Sequence, residues 1–433
     1  MKLKTLKLTN FRNYEDFRID FNEKLNVIVA ENGVGKTTIL DAIALAYGAM
    51  LTRIPKINGK NIVDTDIRII EDTKKAPYCR IEAKMFNGVK WDRTLLRDKS
   101  KQTKQSVPEA IELKQLYNYV DDFIDKENES ISHFDIPLIM YYGTSRAVLK
   151  SPMRRTNFKK KFSRFEAFSG VLNANTDFHR LFQWYDAMED IERREIKERR
   201  DFDFKLTELE AVREAIKSML HGVTNPRIEP RPLRFLVDKI EDEKVYTYRV
   251  DQLSDGYKTV LAMVMDIASR MAEANPHKKN PLESEAIIMI DEVDLHLHPR
   301  WQQTILIDLQ KTFPNAQFIV TTHSPQVLTT IKAESIQAVK LINSKPEIYK
   351  FDFAYGARSH ELLNEILGVD ERPQNLDIVQ KLNRYLQLVN ENRYDCDEAL
   401  QLRDELDSWG AGKEKELLKV DMDIKVKEYQ KTL

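Results

Sequence analysis

One stretch of the chain decides its fold: Leu25-Asn-Val-Ile-Val-Ala-Glu-Asn-Gly-Val-Gly-Lys-Thr-Thr-Ile-Leu40. Its apolar run at residues 27–30 predicts a buried strand, and the apolar spacing near its end predicts a helix. The glycines between them let the backbone approach a phosphate and turn its N–H groups inward. Lys36 would reach the β- and γ-phosphates of a nucleotide, and the Thr37 hydroxyl would bind Mg²⁺. A strand, a glycine-rich turn and a helix in this order predict a phosphate-binding loop.

The loop departs from the usual pattern at one position. The pattern G-x-x-x-x-G-K-T begins with glycine, whereas this chain has Ala30 there and keeps Asn32-Gly-x-Gly-Lys-Thr37. An incidental glycine-rich turn therefore stays open as the alternative to a nucleotide site.

Composition and charge narrow the classes of function. The 433 residues are enough for two or three domains or for one elaborated core. A net charge of −1 gives no overall attraction to nucleic acid or to membranes, so any such binding needs a local patch. No apolar run is long enough to predict a membrane span. The two cysteines, Cys79 and Cys396, lack metal-ligand spacing and fit a reducing compartment, so we expect a cytoplasmic protein.

Apolar periodicity predicts strands and helices along the rest of the chain. Three apolar runs, at residues 136–142, 286–292 and 317–322, predict buried strands that end in polar residues. Asn87-Gly88 predicts a hairpin. Other strands are predicted at residues 2–9, 17–21, 233–237, 245–250, 336–342 and 347–351, and helices at residues 36–50, 109–124, 177–200, 207–220, 255–274, 299–312 and from 359 onward.

Three further motifs follow the phosphate loop in a fixed order. They are Leu253-Ser-Asp-Gly256, Ile287-Ile-Met-Ile-Asp-Glu292 and Thr322-His-Ser-Pro325. Taken alone, each has an ordinary explanation: a helix N-cap, a solvated strand end and a structural histidine. With the loop included, three of the four motifs lie at the carboxyl ends of apolar strands, where open α/β sheets bind ligands. Their order therefore predicts one shared site.

This set of motifs resembles the ABC-type ATPase superfamily. The resemblance implies an α/β fold, a P-loop ATPase head with a mixed sheet, and it implies ATP and Mg²⁺ as cofactors. Asp291 would hold the water shell of Mg²⁺ together with Thr37, and Glu292 would polarise the attacking water. His323 would contact the γ-phosphate and that water. The implied catalytic residues are thus Lys36, Glu292 and His323, with Thr37 and Asp291 at the metal.

The same resemblance implies a site shared between two chains. Ser254 and Gly256 would bind the γ-phosphate of a nucleotide held by another copy, so that ATP joins a head-to-tail dimer or a higher oligomer. Arg12, in Asn10-Phe-Arg12, matches a basic position near the nucleotide in soluble members of the superfamily. The implied nucleotide-binding residues are Arg12, Asn32, Gly33, Val34, Gly35, Lys36, Thr37, Thr38, Ser254 and Gly256.

A narrower resemblance is to the ATPase subunit of Septu-type anti-phage systems, which also occurs with some retrons. It is carried by Asp251-Gln-Leu-Ser-Asp-Gly256, by residues 290–303 and by Phe318-Ile-Val-Thr-Thr-His-Ser-Pro325. The family implies an oligomeric ATPase that works with a small HNH-nuclease partner. Leu295-His-Leu-His-Pro299 is also shared with overcoming-lysogenization-defect nucleases. No convincing carboxylate cluster follows residue 325, so we expect no nuclease domain in this chain.

We expect four regions along the chain. Residues 1–144 would form the first part of an ATPase core, and residues 145–228 a helical insertion. Residues 229–352 would complete the core, and residues 353–433 would form a helical region for oligomer or partner docking.

Two functions are compatible with these features. The leading one is an ATP-hydrolysing sensor and regulatory subunit of a defence complex, which controls a partner nuclease. The alternative is a DNA-repair ATPase that acts on DNA ends or gaps, and it rests on the basic stretch at residues 150–164. There Phe158, Phe162 and Phe165 would share one helix face. This helix would bind nucleic-acid phosphates, or it would be a solvated helix with its phenylalanines packed on the core.

Overall fold

Fifteen strands and thirteen α-helices form within the part of the chain that the computed structural model describes, which is residues 1–31, 33–71, 74–131, 133–146, 162–174, 178–343 and 345–431. The strands are β1 (Leu3–Phe11), β2 (Tyr14–Asp20), β3 (Leu25–Ala30), β4 (Ile69–Glu71), β5 (Lys74–Lys75), β6 (Tyr78–Met85), β7 (Lys90–Leu96), β8 (Leu138–Tyr142), β9 (Val223–Pro230), β10 (Leu233–Glu241), β11 (Lys244–Arg249), β12 (Ala286–Ile290), β13 (Ala316–Thr321), β14 (Ile336–Ile342) and β15 (Lys345–Tyr349). The helices are α1 (Lys36–Arg53), α2 (Lys101–Gln105), α3 (Lys114–Asn128), α4 (Phe178–Arg199), α5 (Thr207–Met219), α6 (Asp255–Ala274), α7 (Pro299–Gln302), α8 (Ile305–Thr312), α9 (Pro325–Leu328), α10 (Ser359–Leu367), α11 (Asp377–Asn390), α12 (Asp397–Gly410) and α13 (Lys415–Lys431).

The central sheet has the strand order β15-β14-β3-β13-β12-β8. Its strands run parallel from β14 to β8, and β15 pairs antiparallel with β14. Every residue of β3, β12 and β13 is buried, which explains why these strands lack the polar alternation of a half-exposed sheet. The predicted α/β class with a mixed sheet is confirmed.

Helix α1 lies between the central sheet and a second, antiparallel sheet with the order β2-β1-β6-β7. It contacts β3 and β13 of the first sheet and β6 and β7 of the second, so most of its residues are buried. The indole N–H of Trp91 on β7 donates to the carbonyl oxygen of Ala46 at 3.0 Å. Packing on two sides therefore holds in place the helix that begins at the phosphate loop.

The predicted hairpin at Asn87-Gly88 is confirmed, since these residues join β6 to β7. Gly88 has a φ of 92°, a left-handed conformation that favours glycine. The side chain of Asn87 accepts the N–H of Val89 at 3.3 Å and thereby stabilises the turn.

A third sheet, β11-β10-β9, contains a strand that the sequence did not reveal. β9 pairs antiparallel with β10, with Ile228 opposite Phe235. Periodicity missed β9 because Pro226 and Pro230 interrupt its pattern, and the sheet tolerates them because β9 is an edge strand. The ring of Phe235 lies 5.3 Å from that of Tyr185 on α4, so this sheet packs on the helical segment before it.

Two predicted helices differ from the observed elements. The helix predicted at residues 299–312 is divided into α7 and α8, because the N–H of Thr304 bonds three residues back, to the carbonyl of Trp301. The helix predicted at residues 109–124 begins only at Lys114. Among the described residues, no helix is both long enough and apolar enough to cross a lipid bilayer.

The described residues fall into two compact units, Met1–Leu362 and Leu363–Leu433. The helical character predicted from residue 359 onward is confirmed, while the predicted domain boundaries stay predictions. The second unit has a core of its own, formed by α11, α12 and α13. Its buried members are Leu382, Tyr385, Leu388, Val389, Ala399, Leu406, Leu417 and Val420.

Candidate nucleotide-binding site

The phosphate loop joins β3 to α1 and contains two glycines with left-handed backbones. Gly33 has a φ of 85° and Gly35 a φ of 114°, which residues with a Cβ atom rarely adopt. The turn between β1 and β2 supports the loop, although the sequence did not reveal this role. Asn13 Nδ2 donates to Gly33 O at 3.2 Å, and the Tyr14 hydroxyl donates to Gly35 O at 3.2 Å. Asn32 lies outside the described residues.

Lys36 is the first residue of α1, and its side chain turns back to the loop. Its ammonium donates to the carbonyl oxygen of Ala30 at 2.8 Å and to that of Glu31 at 3.4 Å. Burial lowers the pKa of Lys36, while the nearby carboxylates of Asp291 and Glu292 oppose that shift. Ala30 contributes only its carbonyl and ends an ordinary strand, which explains why this position does not require the usual glycine.

The remaining loop residues differ in exposure. Val34 and Thr38 are buried, whereas Thr37 is exposed and its hydroxyl donates to the Asp291 carboxylate at 2.7 Å. Asp291 directly follows β12, and the neighbouring strand β13 ends in Thr321. The Thr321 hydroxyl donates to the other oxygen of the Asp291 carboxylate at 2.5 Å. Two hydroxyl groups from different elements therefore orient this carboxylate beside the phosphate loop.

Glu292 has an unusual backbone conformation for a residue with a side chain. Its φ is 49°, in the left-handed region. Its N–H donates to the hydroxyl of Thr321 at 2.7 Å, and its carbonyl accepts a hydrogen bond from Arg146 at 2.7 Å. The backbone of Glu292 is thus held on both sides, while its half-buried side chain lies within electrostatic range of Lys36.

Arg146 is a site residue that the sequence did not reveal. It is 3% exposed, and its guanidinium donates to the carbonyl oxygens of Gly143, Asp291 and Glu292 at 3.0, 2.5 and 2.7 Å. No motif spacing points to it, because its acceptors are backbone atoms that any residue would supply. Its position four residues after the end of a buried apolar strand is a weak cue, because it indicates no partner for the side chain.

His323 follows β13 and belongs to the same electrostatic neighbourhood. Burial lowers the pKa of His323, and the positive charge of Lys36 lowers it further, against the effect of the nearby Asp294, Glu292 and Asp291 carboxylates. The imidazole is therefore held toward its neutral form, which can accept as well as donate a hydrogen bond.

A second cluster forms where Gly256, near the start of α6, packs against the loop at residues 291–298, and Ser254 lies two residues before Gly256. A Cβ atom at Gly256 would lie 2.6 Å from the carbonyl oxygen of His296, so this position requires glycine for close backbone approach. Ser254 is the N-cap residue of α6, but its exposed hydroxyl makes no capping hydrogen bond. The N-cap explanation weighed from the sequence therefore accounts for the backbone of Ser254 and not for its hydroxyl.

Gln302 connects this second cluster to the strand end that carries His323. Its amide nitrogen donates to the carbonyl oxygen of Leu297 at 2.9 Å, and its amide oxygen accepts the hydroxyl of Ser324 at 2.8 Å. The two clusters are therefore joined by one side chain, which the sequence did not reveal as a site residue.

Arg12 is occupied by two carboxylates. Its Nε donates to Asp66 at 2.8 Å, and its Nη1 donates to Asp41 on α1 at 2.7 Å. Although burial opposes it, these hydrogen bonds raise the pKa of Arg12. Lys60 also donates to Asp41, at 3.0 Å. The structure thus places Arg12 beside the helix that starts at the phosphate loop, and its predicted role at the nucleotide stays a prediction.

The basic stretch at residues 150–164 is described only at its end, and Phe158 lies outside the described residues. Phe162 lies outside any helix and Phe165 is in a 3₁₀ helix, so the predicted α-helical face does not form there. Arg164 donates to the carbonyl oxygens of Ala274 and Phe134 at 2.7 and 2.6 Å. The last cation of the stretch is therefore engaged by the protein itself.

Along most of its length the chain is similar to two retron probable ATPases and to a Septu protein. The chain is 29% identical over 469 residues to the retron Ec83 probable ATPase of Escherichia coli, with 93% of this chain and 82% of the relative covered. It is 26% identical over 455 residues to the retron Vc95 probable ATPase of Vibrio cholerae serotype O1 biovar El Tor, covering 93% and 86%. It is 23% identical over 403 residues to the Septu protein PtuA of Bacillus thuringiensis, covering 90% and 91%. The resemblance to Septu-type and retron-associated proteins is confirmed.

A solved structure described as the SmcHead bound to the C-winged helix domain of ScpA is 14% identical, with a TM-score of 0.44, and covers 82% of this chain and 99% of that chain. A family described as "AAA domain" matches residues 5–224, just over half of the 433 residues. The chain therefore belongs to the AAA domain family.

Proposed function

We propose that this protein binds and slowly hydrolyses ATP with Mg²⁺, as the regulatory ATPase of an anti-phage defence complex. The observation that carries the proposal is the 2.7 Å hydrogen bond between the Thr37 hydroxyl and the Asp291 carboxylate. It brings the end of a glycine-rich loop against the end of a distant buried strand. Phosphoryl transfer from ATP needs this combination of a phosphate cradle and a carboxylate.

The donor atoms suit Mg²⁺. Thr37 and Asp291 offer a hydroxyl and a carboxylate, which are the hard oxygen ligands that Mg²⁺ prefers, alongside phosphate oxygens and water. The metal would neutralise charge on the β- and γ-phosphates. Thr321 would keep the Asp291 carboxylate oriented toward that position through its 2.5 Å hydrogen bond.

The remaining side chains fit the requirements of hydrolysis. Lys36 would exchange the carbonyl oxygens of Ala30 and Glu31 for phosphate oxygens when a nucleotide binds. Glu292 would accept a proton from the attacking water, and His323 would contact the γ-phosphate. The lowered pKa of His323 supports a neutral imidazole that donates one hydrogen bond.

The exposed Ser254 hydroxyl supports a site shared between two copies of the chain. It lies at the N-terminus of the twenty-residue helix α6, where N–H groups and the helix dipole favour an anion. In a head-to-tail dimer this terminus would meet the γ-phosphate bound by the partner copy. ATP would then hold the dimer together, and a single chain would hydrolyse it slowly.

The assignment to defence is supported by the names of the relatives, which are retron probable ATPases and a Septu protein. We further propose a small HNH-type nuclease as the partner and ATP as the signal that controls it. The alternative, a DNA-repair ATPase, rested on residues 150–164. None of the described contacts favours it, since Arg164 is bound to backbone carbonyls.

The test is co-expression with the adjacent open reading frame, comparing wild type with Glu292→Gln. Glu292→Gln should leave only a slow, residual turnover while retaining bound ATP, because Lys36 and Thr37 are unchanged. Glu334→Gln is the matched control, since Glu334 is exposed. It precedes β14, so it lies at the amino ends of the parallel strands, whereas the candidate site lies at their carboxyl ends. A stable oligomer that carries a small nuclease supports the proposal. A protein that neither binds ATP nor co-purifies with a nuclease contradicts it.

A further inference from the structure

Arg146 is a buried cation whose three hydrogen-bond acceptors are all neutral. They are the carbonyl oxygens of Gly143, Asp291 and Glu292. Arg146 is 3% exposed, so its positive charge is held away from water, which costs free energy. Because burying a charge costs free energy, packing alone does not explain an arginine at this position.

The acceptors of Arg146 lie at the ends of two neighbouring strands. Gly143 follows β8, and Asp291 and Glu292 follow β12, which pairs parallel with β8. The planar guanidinium spans both strand ends, because its donors are set in a rigid fork. Arg146 therefore connects the backbones that follow β8 and β12, at the carboxyl ends of the parallel strands, where the candidate nucleotide site lies.

The backbone of Glu292 needs such support. Its left-handed φ of 49° is unfavourable for a residue with a Cβ atom, and such a conformation persists only when its surroundings hold it. Thr321 accepts its N–H, and its carbonyl oxygen accepts both Arg146 and the N–H of Leu295, the latter at 2.9 Å. Without Arg146, the carbonyl oxygen of Glu292 would keep the hydrogen bond from the Leu295 N–H and lose the one from the charged guanidinium.

We propose that Arg146 is a positioning residue that holds the Glu292 backbone so that its carboxylate faces the attacking water. This inference rests on the proposed hydrolysis of ATP. At Asp291, Arg146 contacts only the backbone carbonyl, and the Asp291 carboxylate is oriented separately by the hydroxyls of Thr37 and Thr321. Arg146 therefore acts through Glu292 and not on the nucleotide. Its loss should therefore change turnover and leave nucleotide affinity unchanged.

The first experiment compares Arg146→Met and Arg146→Lys with wild type in steady-state ATP hydrolysis and in equilibrium binding of ATP. Arg146→Met should lower kcat about 10- to 100-fold, the loss expected when a reacting group is misplaced by about 1 Å. KM and the dissociation constant should stay within about twofold of wild type. Arg146→Lys should recover part of kcat, because an ammonium reaches fewer of the three carbonyls.

The matched control is Arg164→Met. Arg164 also donates to two backbone carbonyl oxygens, those of Ala274 and Phe134, and in addition to the carboxylate of Glu127 at 3.0 Å, but none of these groups belongs to the Glu292 segment. Arg164→Met should lower the midpoint of thermal unfolding and leave kcat of the folded fraction unchanged. If both variants lower kcat equally after correction for folded protein, Arg146 is merely a structural residue.

A double variant separates positioning from an independent effect. If Arg146 acts through Glu292, then Arg146→Met should cause no further loss of turnover when Glu292→Gln is already present. Multiplicative losses in the double variant would overturn the proposal.

A readout without turnover separates this inference from the proposed function. In the nucleotide-free protein, Arg146→Met should speed hydrogen exchange of the amides at residues 292–295, and Arg164→Met should not. Unchanged exchange at these amides contradicts the positioning role. A wild-type protein that hydrolyses no ATP would reject the proposed function alone, because the exchange result still reports whether Arg146 holds this backbone.

Discussion

At the scale of single residues, two glycines of the phosphate loop differ in their surroundings. A Cβ atom at Gly33 would meet no described atom within 4 Å, whereas one at Gly35 would lie 2.9 Å from the Tyr14 hydroxyl oxygen. Both have left-handed backbones, so alanine at either position carries a conformational cost of about 1–2 kcal/mol. Only Gly35 adds a steric conflict with a buried side chain.

We therefore predict that Gly35→Ala lowers the free energy of unfolding more than Gly33→Ala does, by about 1 kcal/mol or more. Urea denaturation of the two single variants measures the difference. Adding Tyr14→Phe should recover part of the loss in Gly35→Ala, because it removes the nearest atom, and it should not help Gly33→Ala. Equal losses for the two alanine variants would show that Tyr14 does not limit the loop.

Residue by residue, the sequence predicts some groupings and cannot predict others. Lys36, Asp291 and His323 could be grouped because each follows a recognisable apolar strand, and strand ends converge in a parallel sheet. Their proposed roles stay predictions. Arg146 and Tyr14 could not be found in this way, because they bind backbone carbonyl oxygens. Every residue has a carbonyl oxygen, so no particular residue type in the sequence indicates these contacts.

At the scale of elements, helices α4 and α6 face each other through a buried ion pair. Glu273 on α6 is 7% exposed and accepts a hydrogen bond from Arg180 on α4. Burial raises the pKa of Glu273 from 4.5 to about 7, although Arg180 opposes the shift. The contact between the two helices should therefore respond to pH.

The direction in which stability changes with pH depends on whether the folded or the unfolded chain binds the Glu273 proton more tightly. Between pH 4.5 and pH 7 the unfolded chain has already released the Glu273 proton while the folded protein retains it. The free energy of unfolding should therefore fall as pH rises through this window, and the contribution is complete below it. Glu273→Gln cannot titrate, so we predict a shallower fall, measured by urea denaturation across the window.

The control for this prediction is Glu198→Gln, which changes an exposed glutamate on α4. It should keep the wild-type slope of stability against pH. The prediction is wrong if Glu273→Gln and wild type show the same slope.

Element boundaries show where periodicity is a sufficient guide. The strands of the central sheet and helices α4 and α5 could be predicted, because continuous or regularly spaced apolar residues follow from burial. β9 could not, because Pro226 and Pro230 are acceptable only at a sheet edge, and a sequence does not tell which strand lies at an edge.

At the scale of the whole molecule, the second compact unit has its own apolar core. Leu406 is fully buried in that core, whereas Leu400 on the same helix, α12, is 55% exposed. Leu406→Ala should destabilise residues 363–433 by about 2–5 kcal/mol, since it leaves a cavity among packed side chains. Leu400→Ala should be close to neutral.

Limited proteolysis checks this prediction. The Leu406→Ala protein should be cleaved within residues 363–433 and leave a fragment close to residues 1–362, while Leu400→Ala resists like wild type. The fragment should retain nucleotide binding, because every residue of the candidate site lies in the first unit. Loss of binding together with cleavage would show that the first unit needs the second.

The position of β3 in the central sheet has a consequence for how the chain is made. β3 pairs with β13 on one side and with β14 on the other. These two strands begin at Ala316 and Ile336, so both are synthesised long after β3. At about 5–20 residues per second, a ribosome needs roughly 15–60 s to reach the first of them. During that interval this short apolar strand has neither of its partners in the central sheet. The newborn chain is therefore most vulnerable to aggregation before its last quarter emerges, and substitutions that slow this assembly would reduce how much protein accumulates while leaving each finished molecule fully active.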